Sequence, residues 1–153
     1  MNKKVPFIII CLFFYSCGFQ PMLKNYDLSK INIEKINFSG KNELTYLLKN
    51  YLNIETKNNS NSVVMNIFVS ESSNPTSKNT SGLTVEEEIT IVVKFEVIDK
   101  EKNYLLRDEV SSSKRLSVTN NLSSDEETKK IERNNIIKAI VPKIRFKLQF
   151  IFQ

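Results

Sequence analysis

Histidine is absent from this 153-residue chain, and cysteine and glycine are scarce, with two and three copies. Without imidazole, Ser-His and Cys-His nucleophile pairs lack their base, and histidine-built metal sites lack their ligands. The glycines stand far apart at Gly18, Gly40 and Gly82, so no glycine-rich loop can cradle a phosphate. A long apolar run is also missing. The best, Val5 to Tyr15, has 11 residues and contains Pro6, whereas a bilayer-crossing helix needs about 20. The formal charge of +5 comes without a basic stripe, so nucleic acid is not an expected partner.

What is present begins with Lys3 and Lys4, a charged start to the apolar Val5–Tyr15 run. That arrangement reads as a signal peptide over 1–16. A soluble protein's leader ends in small residues at both the minus-three and minus-one positions, but Phe14 at minus three is bulky. Ser16 directly before Cys17 instead has the form of a lipobox, with Cys17 as the lipidation site and first mature residue. Several acyl chains on Cys17, at about 0.8 kcal/mol per buried methylene, would hold the chain on a membrane. The alternative is a signal anchor with an incidental cysteine. If the leader is removed, Cys11 goes with it and no intrachain disulfide is possible. The remaining 20 basic and 17 acidic residues give only +3.

Residues 17–30 read as an acylated start and tether, and 31–153 as a single domain. Ile31 to Phe38 is a strand whose apolar alternation slips one residue between Ile33 and Ile36, the mark of a bulge. Leu44, Leu47, Leu48, Tyr51 and Leu52 follow the one-sided spacing of a short helix over 41–53. Val63 to Ser70, partly apolar on both faces, reads as an interior strand. The Ser-, Asn- and Thr-rich stretch 71–82 reads as a loop. In Leu83 to Asp99, Ile89, Ile91, Val93, Phe95 and Val97 point one way and Glu88, Thr90, Val92, Lys94 and Glu96 the other. The polar turn 99–103 then leads into a weaker strand from Tyr104 to Val118, which makes an antiparallel hairpin. A capping box at Ser124 to Glu127 predicts the start of a helix whose stripe runs through Ile137, Ile140, Val141, Ile144, Leu148, Ile151 and Phe152. Pro142 should kink or break it near Val141. Lys143, Arg145 and Lys147 suit the negative end of that helix's dipole.

Catalysis is not expected. Glu86, Glu87 and Glu88 are the densest carboxylates, but on a strand the middle one points away, which leaves a solvated sheet face. Basic residues on or near the hairpin, Lys94, Arg107, Lys114 and Arg115, could engage a phosphorylated or carboxylated amphiphile, or could simply solubilise the surface.

The start Cys17-Gly18-Phe19-Gln20-Pro21, followed by this order of elements, resembles the LptE family of lipopolysaccharide-assembly lipoproteins. The resemblance implies an α+β two-layer sandwich, with two helices on one face of a four-stranded, mostly antiparallel sheet in the order β-α-β-β-β-α. It implies a non-enzymatic lipoprotein on the periplasmic face of the outer membrane, with no cofactor beyond the acyl chains on Cys17. Its partners would be an LptD-type outer-membrane β-barrel, which it plugs and helps assemble, and lipopolysaccharide. Lys94, Arg107, Lys114 and Arg115 are then the candidates for lipopolysaccharide binding. A different reading keeps the lipid anchor but makes the domain an amphiphile carrier that works without a barrel.

Overall fold

The computed structural model describes residues 32–57 and 62–150. The expected signal peptide, Cys17, the tether, Ile31, Ile151 and Phe152 lie outside the described residues. Among the described residues the order is β1 (Ile33–Gly40), α1 (Asn42–Leu52), β2 (Val63–Lys78), β3 (Thr84–Ile98), β4 (Tyr104–Ser117) and α2 (Leu122–Gln149). The sheet runs β1-β2-β3-β4. β1 pairs with β2 in parallel, and the other two pairings are antiparallel. The parallel pair follows from the helical crossover, since α1 carries the chain back before β2 begins. This is the expected α+β sandwich.

Alternation decides which face is buried. Ile89, Ile91, Val93, Phe95 and Val97 of β3 are buried, as are Met65, Ile67 and Val69 beside them on β2. Against them pack Leu44, Leu48 and Leu52 of α1 and Ile137, Ile140, Ile144 and Leu148 of α2. The expected bulge in β1 lies between Ile33 and Lys35. At the strand's end Gly40 has φ of +109°, and a Cβ built there would meet the Val69 carbonyl oxygen at 2.0 Å. Only glycine lets the chain turn into α1 this close to β2.

Three expectations are corrected. Residues 71–78 are strand rather than loop: β2 continues through Lys78 along β3, with register shifts beside Pro75 and Ser77. Asn79 then closes the hairpin, its side chain accepting from the amides of Ser81 and Leu83. The last helix starts before the capping box, because Asn121 is the N-cap and accepts from the Ser124 amide. Asp125 turns back to accept from the Thr119 amide and hydroxyl, which holds its carboxyl below the usual aspartate range. Pro142 does not break α2, which is helical from Leu122 to Gln149 with its apolar stripe buried on both sides of the proline. Lys138, whose carbonyl loses its amide partner, is exposed to water.

The layers are also joined by charge. Arg133, 8% exposed on α2, donates through Nε and Nη2 to both oxygens of Glu71 on β2, at 2.7 and 3.0 Å. Lys41, at the start of α1, donates to the same carboxylate at 2.9 Å. Burial opposes ionisation of Glu71, but the hydrogen bonds from Arg133 and Lys41 outweigh it and set its carboxyl below the ordinary value of 4.5. Removing one member leaves a buried charge, whereas removing both leaves none.

Gly40→Ala should cost about 3 kcal/mol or more, from the positive φ together with the clash at Val69, read as a lower urea midpoint. Glu71→Leu should cost about 3–5 kcal/mol, and the double variant Glu71→Leu/Arg133→Met should recover much of it. Because the folded carboxyl is lowered, its stabilisation is complete above pH 4.5 and is lost as pH falls through the folded value. Glu71→Gln should therefore flatten the acid limb of stability against pH.

Candidate ligand face of the sheet

Both helices pack on one face of the sheet, and among the described residues nothing packs on the other. Residues paired across strands share a face. Lys94 lies opposite Glu109, Glu96 opposite Arg107 and Glu88 opposite Arg115, so all three cations share the open face, Lys94 near Arg107 and Arg115 eight residues along β4, roughly 27 Å from Arg107. Lys114 does not join them. It lies opposite the buried Ile89, on the helix side of the edge strand.

Each of the three cations on the open face has a glutamate beside it. Arg107 Nε is 2.8 Å from Glu96, Arg115 Nε is 3.7 Å from Glu88, and Lys94 Nζ is 4.0 Å from Glu109. Arg107 also lies over the Tyr104 ring at 4.2 Å. All three pairs are largely solvated, and such pairs contribute roughly 0–1 kcal/mol each. A phosphate offering bidentate contacts can displace a glutamate at little cost. Between the charges stand Phe68, opposite Lys94 and half-exposed, and Val92, opposite Ser70 and Ser111. The face therefore offers separated cations on a partly apolar floor, which suits an anionic amphiphile better than a small anion.

The carboxylate triplet divides as alternation requires. Glu88 belongs to the open face, while Glu87 faces the helices and is 2.9 Å from Lys129 Nζ on α2. Its hydrogen bond raises the Lys129 pKa against the opposing effect of burial. Among the described residues no group of three His, Cys, Asp or Glu is placed to hold a metal ion.

The basic residues near the end of α2 act on neighbouring elements more than on their own dipole. Arg145 Nη2 donates to the carbonyls of Tyr51 and Leu52, at 3.2 and 2.9 Å, and so caps the C-terminus of α1. Lys147 is 2.6 Å from Asp108 and donates to the Glu109 carbonyl, while Lys143 donates to the Ser111 carbonyl. The hydrogen bond from Lys147 lowers the Asp108 pKa. The sequence reading missed Glu71 and Arg133, which lie 62 positions apart. A single arginine inside the apolar stripe of α2 was the available signal for a buried partner.

A groove of about 810 Å³ lies between α1 and the first half of α2, lined by Glu43, Tyr46, Leu47, Glu126, Ile131 and Asn134 among others. Lys130 and Arg133 line it too, and Arg133 Nη1 is 3.8 Å from both Glu43 and Glu126, so its charges are mixed. No helix among the described residues is long and apolar enough to cross a membrane.

No protein-family model matches the sequence, and no curated protein matches it. Solved structures do. Rare lipoprotein B from Shewanella oneidensis is 16% identical with a TM-score of 0.52, the match covering 78% of this chain and 99% of that one. Lipoprotein B from Nitrosomonas europaea is 16% identical with a TM-score of 0.52, covering 75% of this chain and 81% of that one. At such identity the likeness speaks to architecture, and the chain has the fold of the rare lipoprotein B proteins, which are the LptE family.

Proposed function

We propose that this chain is an outer-membrane lipoprotein of the LptE family, acylated at Cys17 on the periplasmic side. In this reading it plugs an LptD-type β-barrel, supports the barrel's assembly and assists delivery of lipopolysaccharide to the cell surface. The observation that carries the reading is the uncovered sheet face, where Lys94, Arg107 and Arg115 share one rigid surface with exposed Phe68. Cations fixed on strands and separated by apolar side chains match a phosphorylated lipid headgroup with acyl chains beside it. The fold shared with the lipoprotein B structures and the start Cys17-Gly18-Phe19-Gln20-Pro21 support the same assignment. The role is binding rather than catalysis, and the acyl chains are the one covalent group it requires.

A lipid-anchored carrier acting without a barrel would place its amphiphile in the groove between α1 and α2. In this groove Glu43, Glu126 and Glu127 outnumber Lys130 and Arg133, and Arg133 is already held by Glu71, so it offers an anionic headgroup less than the open sheet face does.

Gentle detergent extraction and affinity purification should recover an outer-membrane β-barrel with the chain; recovery as a lone monomer would count against the proposal. Replacing Lys94, Arg107 and Arg115 together by Glu should weaken lipopolysaccharide binding at least about tenfold, since each charge-assisted contact contributes about 1.5–3 kcal/mol. Lys114→Glu, on the opposite side of the sheet, should leave binding nearly unchanged. Equal losses in both variants would mean that net charge, and not this face, governs the interaction.

A further inference from the structure

The two edges of the sheet are not equally protected. The middle of β4 is covered by side chains from α2 and from β4 itself. The middle of β1 has no such cover. Which of its backbone groups face outward follows from β2. The Val63 amide donates to the Asn32 carbonyl, and the Ile67 and Val69 carbonyls accept from Ser39 Oγ and the Lys41 amide, so the odd-numbered residues of β2 turn toward β1. Asn37 lies opposite Asn66 and Ser39 opposite Phe68, and in a parallel ladder each such residue bonds to the two neighbours of its opposite. Asn37 and Ser39 are therefore the residues of β1 that bond to β2. Ile36 and Phe38 present amide and carbonyl to the outside, and among the described residues no backbone group meets them there. The edge is closed only at its start, where the Ile33 carbonyl accepts from the Lys57 amide. β1 contains no proline to blunt it.

A groove of about 420 Å³ lies between this edge and the end of α1. Ile36, Phe38, Leu52 and Ile54 give it an apolar lining, and Glu34, Lys35 and Lys49 stand there as well. Glu34 is engaged, accepting from Ser62 Oγ at 2.7 Å. Lys35 and Lys49 are exposed, with no acidic partner among the described residues. The charge left on offer beside the edge is positive.

We propose that the outer edge of β1 takes up an extended peptide segment of a partner protein as a further strand of the sheet. The proposal rests on the reading of the chain as a barrel's plug. Wall strands of a closed barrel are already paired with each other, so the segment belongs to a part of the barrel chain outside its wall. An extended chain presents an amide and a carbonyl on one side at every second residue, which is the pattern that Ile36 and Phe38 leave unmet. Run antiparallel, alternate residues of the segment exchange both backbone bonds with Ile36 and with Phe38. Residues opposite one another share a face, so the side chains at those positions fall into the groove against Leu52 and Ile54. Apolar side chains suit these positions, and an acidic side chain next to them suits Lys35 and Lys49.

Hydrogen exchange tests the pairing amide by amide. The acylated full chain would be compared free and in the complex purified with its barrel, with Ile36 and Phe38 resolved by mass spectrometry under fragmentation that keeps deuterium in place. In the free chain these two amides should exchange faster than those of Asn37 and Ser39, and in the complex they should slow at least about tenfold. A complex in which they exchange as in the free chain overturns the proposal and leaves the barrel reading intact. Failure of any barrel to co-purify overturns both. Slow exchange already in the free chain also overturns the proposal, because the edge is then filled by the chain itself or by a second copy. Phe38→Pro removes one outward donor at an edge, where proline is tolerated, and should lower barrel recovery several-fold. Lys35→Glu/Lys49→Glu, which leaves the backbone untouched, should lower it as well. Full recovery of both variants would mean that the amides are occluded without pairing, and would overturn the proposal even if exchange slows.

Discussion

The bidentate pair of Arg133 with Glu71 fixes how the two layers lie on each other. An apolar interface of leucines, isoleucines and valines stabilises the contact but has little direction, because dispersion and burial tolerate sliding. The guanidinium fork fits its carboxylate in one geometry, with Lys41 as a third member. Arg133 lies on α2, Glu71 on β2 and Lys41 at the start of α1, so one cluster ties both helices to the sheet. A wrong sliding of α2 would leave Arg133 buried without a partner, at a cost of several kcal/mol. Arg145, capping α1, and Lys147, against Asp108, repeat the device nearer the C-terminus.

That arrangement frees the opposite face of the sheet from structural duty. Core, cap and ion cluster all lie on the helix side, so side chains on the open face can vary in charge without disturbing packing. The solvated pairs there contribute too little to hold the fold together. A surface so decoupled can be given over to a ligand or a partner.

The sequence made legible those elements in which one face is buried. Ile89 to Val97 alternate cleanly because every second residue enters the core, and the α1 leucines repeat at helical spacing for the same reason. Residues 71–78 were illegible because neither face is apolar: β3 supplies their ladder, and Glu71 is drawn inward by an arginine far along the chain. The start of α2 was misread because Asn121 caps as well as Ser124 does, and periodicity cannot choose between them. Lys94 could be assigned to the wet face from its own strand. The faces of Arg107, Lys114 and Arg115 depended on the pairing of β4, whose alternation is weak and whose register shifts between Val97 and Ile98.

The edges of the sheet bear on how another protein could approach. An exposed edge strand invites pairing with a foreign strand unless its backbone groups are occupied. In β4 the Glu109 amide donates to Asp108 Oδ1, and the Glu109 and Ser111 carbonyls accept from Lys147 and Lys143. The middle of that edge is closed by side chains reaching from α2 and from β4 itself. On the other side, β1 pairs with β2 only as far as Gly40 opposite Val69, and farther along β2 Pro75 has no amide to donate. Strand addition is thus blunted at the middle of β4 and beside Pro75 of β2. The open sheet face stays accessible. A barrel wall built of fully paired strands has no edge to offer, so contact with one would have to use side chains, and this sheet presents them on a face that no helix covers.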